Sequence, residues 1–249
     1  MKVEIDALCQ KGLVRDNNED ALSVGGIILR NNVTNFTVDI SEDGFFYLLV
    51  SDGMGGHEDG EEASEFTLNE LKEKFEQKQI GAKSFEDDMR KMTNTISTQL
   101  NQMAAEKGQQ LPMGCTLTGI VWHYGKIWLV NAGDSRTYRY RNGMLRQLTI
   151  DETERGITGD PNAEIYLLNC IGAGQEGRLT IIDMEGKLLK DDILLICSDG
   201  LTDMVTDEQL EEALEEGNTA ADLYRLACEG GGVDNVSVIL ARIKSGSSS

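Results

Sequence analysis

The β signals in this chain arrive in runs, and pairs of helices separate the runs. Strand-like segments lie at residues 3–8, 21–29 and 45–50, the last a continuous apolar run. Two helical segments follow. Ala63, Phe66, Leu71 and Phe75 mark one apolar side of the first, and Phe85, Met89, Met92, Ile96, Leu100 and Met103 form the stripe of the second. That stripe fits a helix packed on a sheet, although a Met-rich face also suits binding. Four more strand signals occupy 116–122, 126–130, 136–141 and 144–148, with tight turns at Tyr124-Gly125 and Asn142-Gly143. A polar stretch at 151–164 interrupts them, and strands resume at 178–183 and 193–197. Thr206 and Gln209 have capping-box spacing before a helix, a second helix spans 219–228, and a last strand spans 236–243. Strands that follow one another without a crossover helix pair antiparallel. The pattern therefore predicts two antiparallel sheets flanked by helices, not alternating βαβ units.

With 249 residues, only two prolines and no proline-rich linker, the chain reads as one domain over 1–243, followed by a disordered serine-rich tail at 244–249. The formal net charge of −20 argues against nucleic acid or an anionic membrane surface as a partner, since both need a basic face. It is compatible with cation binding. The five cysteines are scattered without zinc-site spacing, several within apolar runs, and read as reduced core residues of a cytoplasmic protein. No segment resembles a signal peptide or a membrane span.

The chemistry concentrates where strands end. Asp52, Asp134, Asp199 and Asp234 each stand beside or near glycine at the mouth of a hydrophobic strand. Singly, each is an ordinary turn residue. Together they are more, because strand ends far apart in sequence can converge at one edge of a sandwich. Clustered carboxylates repel one another unless a cation neutralises them. An all-oxygen ligand set without His or Cys favours magnesium or manganese over zinc. Arg15 could grip a phosphate through paired hydrogen bonds, or simply pair with Asp16 or Asp20 at the surface.

Five ordered blocks resemble the protein phosphatase 2C family, the metal-dependent serine/threonine phosphatases, in its bacterial form. They are Arg15 to Asp20 with Ala21, Val50 to His57, Gly133-Asp134-Ser135-Arg136, Cys197-Ser198-Asp199-Gly200-Leu201, and Asp234-Asn235-Val236-Ser237. The resemblance implies a four-layer αββα sandwich, an α+β fold. It implies that Asp52 bridges two manganese or magnesium ions and that the Gly53 carbonyl joins the second. Asp199 and Asp234 then hold the first ion, and Glu19 and Asp20 act around the second, partly through water. Asp134 with Asp199 forms a weaker third site, and Arg15 holds the substrate phosphate. Phosphorylated proteins are the implied substrates, a serine/threonine kinase the implied counterpart, and a monomer the implied state. Two departures from the family pattern stand out. Met54 occupies the position of a histidine proposed as general acid in animal members, with His57 three residues further on, and the flap at 151–171 is short.

The implied reaction is in-line attack of a metal-activated water on phosphorus, without a phosphoenzyme. The chain lacks a strand-end Asp-x-Asp nucleophile. Two other readings are a catalytically inactive relative acting as a regulatory binding module, and a hydrolase of small phosphate esters.

Overall fold

The N-terminal strand pairs along its whole length with the C-terminal one, which builds both ends of the chain into one sheet. The structure, a computed structural model, describes residues 1–56, 58–77, 80–81, 83–108, 113–164 and 166–245. In chain order the strands and helices are β1 (Lys2–Gln10), β2 (Ala21–Val24), β3 (Ile27–Leu29), β4 (Asn32–Asp39), β5 (Phe45–Ser51), β6 (Gly53–Met54), α1 (Glu58–Glu76), α2 (Phe85–Glu106), β7 (Gly114–Cys115), β8 (Leu117–His123), β9 (Lys126–Ala132), β10 (Arg136–Arg141), β11 (Met144–Gln147), α3 (Glu154–Thr158), β12 (Ile171–Gly172), β13 (Thr180–Asp183), β14 (Ile193–Cys197), α4 (Asp199–Thr202), α5 (Asp207–Glu215), α6 (Ala220–Glu229) and β15 (Val236–Ser245).

One six-stranded sheet has the order β11-β10-β14-β15-β1-β4, and the other β13-β9-β8-β5-β2-β3. Every pairing in both is antiparallel. A small three-stranded sheet, β12-β7-β6, lies beside them.

Strand alternation explains the layering, since successive side chains point to opposite faces. Leu48 and Val50 of β5 meet Ile5, Ile196 and Ile239 between the sheets. Tyr47 and Leu49, from the other face of β5, pack with Leu68 and Leu71 of α1 and Met89, Ile96 and Leu100 of α2. On the far side, Leu195 and Cys197 of β14 pack with Leu210 and Leu214 of α5 and Leu223 of α6. Both faces of the central strands are buried, which is why they read as continuous apolar runs. The result is the expected four-layer αββα sandwich. The Met-rich stripe of α2 is core, with Met89 and Met92 buried. Thr206 and Gln209 form a reciprocal capping box at α5, and Thr219 with Asp222 forms another at α6.

The single strand expected at 21–29 is a hairpin of β2 and β3 that turns at Gly25 and Gly26, and two further points differ. Strand β4 carried no clear signal, because an edge strand of alternating Asn, Thr and Val leaves one face in water. The last strand runs to Ser245, opposite Lys2, so residues 244 and 245 belong to the sheet instead of the tail. Residues 246–249 of the expected tail, and His57, lie outside the described residues. The cysteines are unpaired, with Cys9, Cys115, Cys170 and Cys197 buried. Among the described residues, no helix is long and apolar enough to cross a membrane.

Candidate metal centre

Ala21 at the start of β2 pairs with Ser51 at the end of β5, which sets Asp20 beside Asp52. Strands β9 and β14 end, and β15 begins, at the same edge. A cleft of about 290 Å³ there is lined by Arg15, Glu19, Asp52, Gly53, Asp134, Asp199 and Asp234, together with Met54, Thr116, Leu167 and Asn235. Seven of the eight residues expected at the site thus share one cleft. The eighth, Asp20, lies beneath it, 1% exposed, and takes a hydrogen bond from Ser198 Oγ at 2.6 Å. A larger cleft of about 610 Å³ borders the 151–171 segment, but it lacks this concentration of acids.

A network of short bonds positions the carboxylates. The Asp52 amide donates to Thr116 Oγ1 at 3.0 Å, and the Thr116 amide donates to the Asp52 carbonyl at 2.8 Å. Thr116 Oγ1 also meets Ser135 Oγ at 2.7 Å, tying the Asp52 corner to the turn that carries Asp134. Asn235 staples the opposite wall. Its Nδ2 donates to the Lys11 and Asn17 carbonyls at 2.9 and 2.8 Å, while its Oδ1 accepts from the Glu19 amide at 2.8 Å. The loop bearing Arg15, Glu19 and Asp20 is thereby fixed to the residue next to Asp234. Gly53 and Gly60 allow a further close approach. A Cβ on Gly53 would strike the Gly60 carbonyl, and one on Gly60 would strike the Glu19 carboxylate.

Burial and mutual repulsion push the carboxyls up. Asp20 and Asp134 each rise to about 7 and Asp199 to about 6, with burial the largest cause. Asp199 adds repulsion at Asp20 and Asp134, and Asp203 adds it at Asp199. Asp52 rises well above the usual carboxylate range, through burial first and then Asp20, Asp199 and Asp134. Arg15 brings a positive charge to these acids: its Nη2 lies 2.5 Å from Asp234 Oδ2.

The donor set suits a divalent cation. Asp20 Oδ1 and Asp199 Oδ1 are buried without a hydrogen-bond partner among the described residues, and all the donors are hard oxygens. Among the described residues, no three of the acids close into a finished ligand cage, so they line the cleft instead of converging on one point.

Two residues, Asp203 and Glu152, escaped the sequence reading, as did the partner of Arg136. Asp203 repels Asp199 and is itself raised by burial; its spacing of four from Asp199, on one helical face, was the available signal. Arg136 grips Asp151 through Nε and Nη2 at 2.6 to 3.1 Å. Glu152 accepts from the Gly133 amide at 2.9 Å, from Thr180 Oγ1 at 2.9 Å and from Asn169 Nδ2. These last two tie the 151–171 segment to the Asp134 turn, and no local pattern announces such long-range partners. That segment reaches the cleft through Leu167 and contains the short helix α3. Met54, in β6, also lines the cleft.

Comparison with known proteins agrees with this geometry. The serine/threonine protein phosphatase PstP of Mycobacterium tuberculosis is 32% identical over 95% of this chain, and the chain spans 44% of the length of that relative. The serine/threonine phosphatase stp of Listeria monocytogenes is 31% identical over 86% of this chain and 91% of its own length. The structure of the catalytic domain of PstP in complex with two manganese ions superimposes with a TM-score of 0.74 at 29% identity, covering 98% of this chain and all of that one. The family profile described as protein phosphatase 2C matches residues 35–225. With its fold, its acidic cleft and these relatives in accord, the chain belongs to the protein phosphatase 2C family.

Proposed function

We propose that this chain is a protein-serine/threonine phosphatase that hydrolyses phosphoserine and phosphothreonine monoesters at a binuclear manganese or magnesium centre. The observation that carries the reading is the cleft lined by Asp52, Asp134, Asp199 and Asp234, with buried carboxylate oxygens of Asp199 and of the adjacent Asp20 left without a partner among the described residues. The manganese ions bound by the PstP catalytic domain support the choice of cofactor.

When bound, the metal pair supplies an activated water and neutralises charge on the phosphate. Asp52 would bridge the pair, Asp199 and Asp234 would hold the first ion, and the Gly53 carbonyl would serve the second. Glu19 lines the cleft on that side, and Asp20 lies behind it, where its free Oδ1 suits a bond to a ligating water. Asp134 with Asp199 would hold a weaker third ion. With a cation on Asp234, Arg15, which now pairs with that carboxylate, would be free to hold the substrate phosphate through charge-assisted hydrogen bonds. Met54 carries no transferable proton, so it cannot serve as the general acid, and a metal-bound water would be the donor to the departing serine or threonine oxygen.

The substrates on this reading are phosphorylated proteins, with a serine/threonine kinase as the opposing activity and a monomer as the working form. Activity on a phosphothreonine peptide, with and without manganese, tests it. Hydrolysis of small phosphate esters alone would favour a small-molecule hydrolase. No hydrolysis of either, with manganese bound, would favour a binding module.

A further inference from the structure

Arg30, in the turn between β3 and β4, is a guanidinium held almost out of solvent, its side chain 13% exposed. Its Nε donates to the Asp20 carbonyl at 2.9 Å, and its Nη2 donates to the Glu61 carbonyl and to Ser64 Oγ, each at 2.9 Å. Nη1 lies 2.7 Å from Glu61 Oε1 and 3.1 Å from Glu65 Oε2. Pairing with helix carboxylates is an ordinary use of arginine and contributes little by itself. Here three of the bonds go elsewhere, to two backbone carbonyls and a hydroxyl. The planar fork therefore joins the first turns of α1 to the loop that carries Glu19 and Asp20.

Ser64 passes the grip on. A guanidinium has no acceptor, so Ser64 Oγ must accept from Arg30. Its single proton then goes to the Glu19 carbonyl at 2.5 Å in preference to the Glu61 carbonyl at 3.1 Å. Arg30 thus holds the Asp20 carbonyl directly and the Glu19 carbonyl through Ser64. Its neighbour Asn31 secures the other end of Asp20. Asn31 Oδ1 accepts from Asn18 Nδ2 at 3.0 Å, and Asn18 Oδ1 accepts from the Asp20 amide at 3.2 Å. Contact between Gly60 of α1, the Glu19 carboxylate and Gly53 is too close to admit a Cβ, so a shift of α1 displaces Glu19 and Gly53 with it. Glu19, Asp20 and the Gly53 carbonyl are the groups assigned to the second ion. Arg30 bonds to none of Asp52, Asp199 and Asp234.

We propose that Arg30 is the positioning residue of the second metal subsite, setting the Glu19–Asp20 backbone and the first turn of α1 against Gly53. The proposal rests on the binuclear reading above. Its consequence is selectivity: loss of Arg30 weakens the second ion and spares the first.

The test counts manganese bound to the full chain by EPR of the free ion, while anomalous scattering from manganese-soaked crystals identifies which ion is lost. Arg30→Lys keeps the charge, but one ammonium cannot span Asp20, Glu61 and Ser64 together. The second ion should bind about tenfold or more weakly in this variant, the loss usual for a group that orients metal ligands, and the first within about twofold of wild type. Ser64→Ala should weaken the same ion. The double variant should fall short of the product of the two losses, because both act through the Glu19 carbonyl. In the metal-free protein, hydrogen exchange at residues 18–20 should quicken in Arg30→Lys, with thermal melting confirming that each variant folds. Equal weakening of both ions, or unchanged affinity for the second in folded Arg30→Lys, would overturn the proposal alone. A wild-type chain that binds only one manganese would overturn the binuclear reading and the proposal with it.

Discussion

Arg15 Nη2 and Asp234 Oδ2 stand 2.5 Å apart across 219 residues of sequence, in an ion pair about half open to solvent. One partner is the proposed phosphate clamp and the other a proposed metal ligand, so on this reading the ion pair would open as the cleft fills. Arg15→Ala should lower kcat/KM on a phosphothreonine peptide by roughly ten- to a hundredfold, the loss expected for a charge-assisted contact of about 1.5–3 kcal/mol. Manganese affinity measured by calorimetry should not weaken, because the variant removes a competitor for Asp234. Weaker manganese binding would make Arg15 a structural support for the acids instead.

Asp52→Asn should nearly abolish activity and also stabilise the metal-free protein. Asp52 is repelled by Asp20, Asp199 and Asp134, and an amide relieves all three. Melting in the presence of a chelator checks this, and a lower melting temperature than wild type would contradict it.

The same repulsion fixes how metal-free stability depends on pH. Asp20, Asp134 and Asp199 have folded values of about 7, 7 and 6, all above the unfolded carboxyl. The folded state therefore holds more protons, and stability falls as pH rises from about 4, where free carboxyls titrate, towards about 7. Chemical denaturation of the chelated protein across that range should show the decline. Asp134→Asn should make it shallower, and saturating manganese should offset it. An unchanged slope in Asp134→Asn would place Asp134 outside the repelling cluster.

Much of this was legible because the cleft is built at strand ends. Apolar runs such as residues 45–50 and 193–197 announce strands, and the acid after each run marks where it stops. Distance was not legible. Nothing local to Asp20 says that its carboxylate sits beneath the cleft against Ser198, 178 residues away. The edge strand β4 was hidden by its polar alternation, and Asp203 by being an ordinary helix acid in sequence. Glu152 was hidden because its partners Gly133, Asn169 and Thr180 come together only in the fold.

Glu152→Ala should therefore act at a distance. It frees the Gly133 amide, Asn169 and Thr180 together, at a cost on the order of 1–3 kcal/mol for a buried donor left unpaired. Hydrogen exchange should quicken at residues 133–135 and 167–169, and kcat should fall with KM little changed. Exchange confined to the 151–171 segment would show that the Asp134 turn stands without it.

Asp134 itself should tune the reaction. Its implied ion is shared only with Asp199 among the assigned ligands, so a weak, hydrated site is expected. Asp134→Ala crystals soaked in manganese should keep two strong metal peaks and lose a third, with slower turnover. Loss of all the peaks would move Asp134 into the core of the centre.

The most direct test strips the protein with a chelator, removes the chelator, and measures phosphate release from a phosphothreonine peptide before and after manganese is restored. The carboxylate cleft predicts no release from the stripped protein and full recovery with manganese, and neither release nor recovery in Asp52→Asn. Full activity in the stripped wild-type protein would contradict the account.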